Sequence, residues 1–186
     1  MKILLHTCCG PCTIYPLEKL KEAEHQVHAF FYNPNIHPYT EWEKRRGALL
    51  AFARSNDLPV IDAGDYDLEG YLREVVHREA LRCRFCYGMR LRRTAQVARR
   101  GKFDAFSTTM LVSPYQKHEL IKEIGLVVAE ETGVPFFYED FRSGYRRAVE
   151  LSRSLGMYRQ QYCGCIYSEK ERFAHRSKQA ERGKEK

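Results

Sequence analysis

Five short apolar runs punctuate the chain: Ile3–His6, Val27–Tyr32, Val60–Ala63, Phe103–Thr108 and Val134–Tyr138. Each has the length and the β-branched or aromatic content of a buried strand. Between them apolar side chains recur at helical spacing, as in Leu17, Leu20 and Ala23, then Leu49, Leu50 and Ala53, then Leu120, Ile121, Ile124 and Val128. This alternation predicts βαβαβα order, a parallel sheet and a doubly wound α/β fold. In such sheets ligands sit beyond the carboxyl ends of the strands. The least ordinary residues fall there: His6-Thr7-Cys8-Cys9 after the first run, Asn33-Pro34-Asn35 after the second and Thr108-Thr109 after the fourth. From Asp67 to Lys102 the pattern changes to helix, Arg-Cys-Arg-Phe-Cys, helix, which predicts a helical insertion over about 67–102, hinged near Leu81 and Cys83. Tyr158 to Tyr167 is a second irregular stretch.

Composition narrows the class. With 186 residues, 30% charged and 44% hydrophobic, the chain suits one soluble domain, and no run of about 18 apolar residues exists to cross a membrane. A chain this long buries enough surface to fold without disulfides or structural metal, so its seven cysteines ask for a chemical explanation. Thirty-one Lys and Arg against 24 Asp and Glu leave a formal charge of +7, which fits a polyanionic partner such as nucleic acid, or simply a solvated basic surface. Part of the excess lies at the end of the chain, where residues 174–186 read as a basic, flexible tail to a catalytic domain spanning 1–173. Arg90, Arg92, Arg93, Arg99, Arg100 and Lys102 form one basic run, and Arg142, Arg146, Arg147, Arg153 and Arg159 another. Either could track phosphates or face solvent. No secretory leader is evident at the start, which points to the cytoplasm, where clustered cysteines more often serve metal or redox chemistry than structural disulfides.

The cysteines come in three arrangements: Cys8-Cys9 with Cys12 nearby, Cys83-x-x-Cys86, and Cys163-Gly164-Cys165. Cys83 and Cys86 stand one helical turn apart on one face and can converge with the loop carrying Cys8 and Cys9 if their segment folds over the sheet's carboxyl edge. Four thiolates suit tetrahedral zinc or an iron–sulfur cluster. Adjacent cysteines strain to reach two vertices of one small ion, whereas a cubane offers them separate irons, so the cluster is favoured. Cys163 and Cys165 are too close in sequence for an unstrained disulfide, and a strained bond is easily reduced, as electron transfer requires. Free thiols in a turn, or further metal ligands, remain alternatives. Cys12 sits where a helix N-terminus would lower its pKa, or where it packs on the sheet.

Five blocks in order, Leu5-His6-Thr7-Cys8-Cys9-Gly10-Pro11-Cys12, Phe31 to Pro38, Arg82-Cys83-Arg84-Phe85-Cys86-Tyr87, Ser107-Thr108-Thr109 with Ser113 to Gln116, and Tyr158 to Cys165, resemble epoxyqueuosine reductases of the QueH type. The resemblance implies an oxidoreductase that reduces the epoxide of epoxyqueuosine, at the tRNA wobble position, to the alkene of queuosine. It further implies a 4Fe-4S cluster on Cys8, Cys9, Cys83 and Cys86, and a redox-active disulfide between Cys163 and Cys165. The core is also similar to the three-layer, adenine-nucleotide hydrolase-like (HUP-type) α/β fold. Here cysteines replace that fold's pyrophosphate loop, so no ATP requirement is expected. If all four cluster irons carry cysteine, none is free to polarise the epoxide, which leaves room for an additional iron ion nearby. The expected partners are the anticodon stem-loop of an epoxyqueuosine-bearing tRNA and an outside electron donor, with Tyr32, His37 and Asp140 as candidate proton donors. The rival reading is a non-catalytic RNA-binding module with a structural four-cysteine zinc site, which leaves Cys163 and Cys165 without a task.

Overall fold

The computed structural model describes residues 1–174, and the tail expected at 174–186 lies outside them but for its first residue. Four parallel strands, β1 (Lys2–His6), β2 (Gln26–Phe31), β3 (Val60–Asp62) and β4 (Ala105–Thr108), form one sheet in the order β3-β2-β1-β4. Central β1 pairs with β2 from Lys2↔Gln26 to His6↔Phe30 and with β4 from Ile3↔Ala105 to His6↔Thr108. Covered on both faces, it carries the uninterrupted apolar run Ile3-Leu4-Leu5, all fully buried. Each of those side chains contributes roughly 1.5–3 kcal/mol by leaving water.

The connections are helical: α1 (Gly10–Glu22), α2 (Tyr39–Ser55), α3 (Leu68–Val75), α4 (Arg82–Arg100), α5 (His118–Thr132) and α6 (Tyr145–Ser154). Helices α1, α2 and α6 pack together, and α4 and α5 form the other flank, giving three layers. Segment 67–102 holds α3, a 3-10 turn at Glu79–Leu81 and α4, whose later turns bury Leu91, Ala95 and Ala98 in the core against β1 and β4. The cysteine-bearing start of α4 is therefore anchored by its own core-packed end.

The run Val134–Tyr138 differs from its expected strand. It makes a single bridge, Phe106↔Phe136, with Phe106 N donating to Pro135 O (3.0 Å) and Phe137 N to Phe106 O (2.8 Å). Pro135 has no N–H, so the ladder has no donor on the Val134 side of that pair. No helix among the described residues is long and apolar enough to cross a membrane.

Candidate active site

The strand order reverses beside β1, whose neighbours β2 and β4 are reached by crossovers in opposite directions. The crevice at such a switch point opens at the strand's carboxyl end. Thr7, Cys8 and Cys9 fill the turn from β1 to α1 there, and Thr108 ends β4 beside them. Cys9 caps α1 with extended backbone and no side-chain capping bond, so its sulfur is not spent on the helix. The sulfurs of Cys8, Cys9 and Cys12 all lie within 4.8 Å of one another, with Cys8 and Cys9 3.8 Å apart. Gln160 braces two of them: its Oε1 accepts from Cys9 Sγ (3.2 Å) and its Nε2 donates to Cys12 Sγ (3.1 Å). The Thr109 hydroxyl donates to Cys8 Sγ at 3.6 Å and accepts from Cys8 N at 3.3 Å. Hydrogen bonds from Cys12 and Cys9, aided by the field of Arg90, hold the Cys8 thiol well below its ordinary range. Cys9 is raised, chiefly by burial. Cys12 is raised too, chiefly by its bond to Cys8, so the helix N-terminus does not make it the reactive thiol.

Cys83 and Cys86 lie in the first turns of α4 and fall outside this compact triad among the described residues. Arg90, one turn further along the same face, stands between the two groups. It is 3% exposed, not part of an open basic face. Its Nη1 donates to Cys86 Sγ (3.8 Å), its Nη2 to Asn33 Oδ1 (2.8 Å) and its Nε to His6 Nε2 (3.2 Å). Tyr32 O also lies 3.2 Å from His6 Nε2, and His6 Nδ1 lies 2.9 Å from Thr108 Oγ1, so both ring nitrogens are engaged. Burial, with Arg90 adding to it, pushes His6 down to about 3, so the ring is neutral. Asn33 Nδ2 donates to Thr7 O (2.9 Å), which ties the network to the Cys8-Cys9 turn. Burial raises Cys83, and pushes Cys86 up to about 11.

Cys83 and Cys86 share a cavity of about 180 Å³ with Cys163 and Cys165, walled also by Asn35, Tyr71 and Arg90 and rimmed by Tyr115 and Lys117. The segment carrying Cys163 and Cys165 is held from below. Buried Arg45 donates to Cys163 O (3.0 Å) and Tyr162 O (2.9 Å) and pairs with Glu41 at 2.6 Å. The Tyr158 hydroxyl donates to the other Glu41 oxygen, and Tyr162 OH to His37 O. His37 N closes the clamp on Gly164 O at 2.8 Å. Gly164 has φ +120°, which side-chain-bearing residues rarely adopt, and a Cβ there would lie 2.8 Å from Ile36 Cγ1. Exposed Cys163 and buried Cys165 are consequently unequal. The hydrogen bond from Cys165, then that of Ser168, lowers Cys163 to about 6, while Cys165 is raised and its sulfur accepts the Tyr71 hydroxyl at 3.2 Å.

The candidate proton donors part company. Asp140 is held down to about 2 by its bonds with Arg142 and does not line the cavity. His37 is lowered by burial, and its Nε2 lies 3.0 Å from Pro34 O. Asn35 lines the cavity, and its buried Oδ1 has no hydrogen-bond partner among the described residues. Sequence reading included Gln160 in its fifth block without giving it a task, missed Arg45 and Tyr71, and placed Arg90 in a basic run. Its helical register, four residues beyond Cys86, was the available signal.

The donor set suits a thiolate-bound group: soft sulfur ligands, neutral imidazole and amide neighbours, and a buried cation with no carboxylate within 4.0 Å among the described residues. A cubane spreads its thiolates over separate irons, and so can span sulfurs too dispersed for a single ion.

The family described as epoxyqueuosine reductase QueH matches residues 3–171. The epoxyqueuosine reductase QueH of Dehalococcoides mccartyi is 39% identical over 172 residues, covering 92% of this chain and 94% of the relative. That of Thermotoga maritima is 40% identical over 189 residues, covering 96% and 94%. Among solved structures, a predicted subunit of a tRNA methyltransferase from Methanocaldococcus jannaschii aligns with TM-score 0.52 at 13% identity, over 82% of this chain and 76% of that one. That likeness is one of fold.

Proposed function

The chain belongs to the epoxyqueuosine reductase QueH family, and from that premise we propose that it reduces the epoxide of epoxyqueuosine in tRNA to the alkene of queuosine. It is an oxidoreductase of tRNA modification. The observation that carries the reading is the shared cavity, where Cys83 and Cys86 meet Cys163 and Cys165 beside Arg90.

Opening the epoxide to an alkene releases its oxygen as water and consumes two electrons and two protons. The Cys163–Cys165 pair holds the electrons: with Cys163 as thiolate and Cys165 as thiol, closing the S–S bond releases two electrons and one proton, the second proton comes from solvent, and an outside thiol reductant reopens the bond. In the disulfide, exposed Cys163 is the sulfur within reach of that reductant; in the reduced pair Cys163, lowered to about 6, is the thiolate and buried Cys165 keeps its proton. When bound, a 4Fe-4S cluster on Cys8, Cys9, Cys83 and Cys86 supplies single electrons, and a further iron, for which Cys12 is an available donor, supplies a Lewis acid. Asn35 Oδ1 is free to accept a hydrogen bond from substrate. Tyr71, whose hydroxyl already donates to Cys165, keeps its own proton because burial raises its pKa. The balance draws on no ATP, and the reading places the enzyme in the cytoplasm with its tRNA.

The test is anaerobic purification with a visible spectrum, counts of iron, zinc and sulfide, and turnover on epoxyqueuosine-containing tRNA. Brown protein with about four or more irons and matching sulfide is expected. Cys163→Ser and Cys165→Ser should keep colour and iron but lose turnover. Loss of the cluster in those variants would make both residues ligands and end the redox-pair reading. Colourless, zinc-loaded, inactive protein would favour an RNA-binding module instead.

A further inference from the structure

A buried guanidinium needs a negative partner, because an uncompensated charge in a low-dielectric interior is strongly disfavoured. Arg45, also deeply buried, has one in Glu41 at 2.6 Å. Arg90 is 3% exposed, yet no Asp or Glu lies within 4.0 Å of it among the described residues, and its three hydrogen-bond acceptors are an imidazole nitrogen, an amide oxygen and the sulfur of Cys86. Three of its five N–H groups are used, which leaves one on each terminal nitrogen, and the side chain walls the cysteine cavity. Among the described residues the thiols around it are the candidate anions, with Cys86 on one side and the Cys8 turn, reached through Asn33 and Thr7, on the other.

The geometry points to Arg90 as the fixed countercharge of the thiolate-bound cluster, a positioning residue that sets how readily that group accepts an electron. This rests on the cluster reading above. A cluster held by four thiolates is anionic and becomes more so on reduction, so a fixed positive charge beside it favours the reduced form. Arg90 keeps its charge throughout the working pH range, and a lysine beside the same anionic group would be held protonated by it. Its links to His6 and Asn33 also keep it from swinging towards solvent.

The test compares wild type, Arg90→Gln and Arg90→Lys as anaerobically purified full-length proteins. Iron and sulfide per chain, circular dichroism and a potentiometric titration of the cluster are measured on each. Wild type should hold the cluster. Arg90→Gln should lower the ratio of reduced to oxidised cluster at a fixed potential at least tenfold, which is about 59 mV for one electron. Arg90→Lys, which keeps the charge, should stay within about threefold of wild type. An Arg90→Gln protein with native circular dichroism but less than half the iron and sulfide, beside an Arg90→Lys protein with the full complement, also supports the inference. Unchanged potentials in both variants, equal shifts in both, or equal loss of folded structure in both would overturn it, since charge would then not be what matters. A wild-type protein that takes up no iron and sulfide would fail the cofactor reading itself, before any variant is compared.

Discussion

Two sulfurs separated by one glycine end up with opposite proton habits, and the cause is local. Cys163 is exposed and receives hydrogen bonds, which lower it to about 6, whereas Cys165 is buried, donates to its neighbour and is raised. The sign is fixed by which form the hydrogen bonds favour: donors aimed at Cys163 stabilise its thiolate, so its proton leaves at lower pH. In the reduced protein, alkylation of Cys163 by iodoacetamide should rise through pH about 6 and level off above it, with Cys165 unlabelled until the fold is lost. In Cys165→Ala the midpoint should move up towards the ordinary thiol range. Mass spectrometry of labelled peptides reads both, and equal labelling of the two sulfurs would refute the asymmetry. The cysteines themselves are legible in the sequence because their spacing is short. Their partners are not: Arg45 and Gln160 lie 118 and 151 residues from the atoms they hold, and no local pattern carries such a contact.

Among the elements, α2 does more than cover the sheet, since it carries the buried Arg45–Glu41 pair that grips the backbone of the Cys163 loop. Removing one member of such a pair strands the other. Arg45→Met should destabilise the protein by about 3–5 kcal/mol in urea unfolding, and Arg45→Met with Glu41→Gln should recover part of that loss, because the orphaned charge is gone. Amide exchange should quicken over 158–165 in both. Gly164→Ala should cost about 1–3 kcal/mol, because the new Cβ meets Ile36 at 2.8 Å in a backbone region glycine favours. Native stability in Gly164→Ala would show that the loop can relax. At this scale the apolar periods located four strands to within a residue or two, since a parallel sheet buried on both faces writes itself as continuous apolar runs. The fifth run shrank to one bridge, and on its Val134 side Pro135 supplies no donor, a backbone property that hydrophobicity does not register.

For the whole molecule, the formal charge of +7 is a weaker guide to the RNA surface than it looks. Both basic runs are partly spent: Arg90 is buried, Arg92 pairs with Glu131, Arg142 with Asp140 and Arg147 with Glu18. What remains at the cavity mouth is Lys117 and the ring of Tyr115, 82% exposed and in edge contact with Tyr145 at 5.8 Å. An exposed aromatic beside a cation at the entrance to a reactive cavity is suited to stack on an unpaired loop base while the lysine meets a phosphate. With an anticodon stem-loop followed by fluorescence anisotropy over a range of salt, Tyr115→Ala should weaken binding by about 1–3 kcal/mol, tenfold for every ~1.4 kcal/mol. Its salt dependence should be unchanged, because a stacked ring releases no counterion. Lys117→Ala should instead weaken binding modestly and lower the slope of log affinity against log salt by about one ion. Were both variants to bind as wild type does, the loop would have to enter from another side, and the exposed Arg146 and Arg153 of α6 would be the next positions to change.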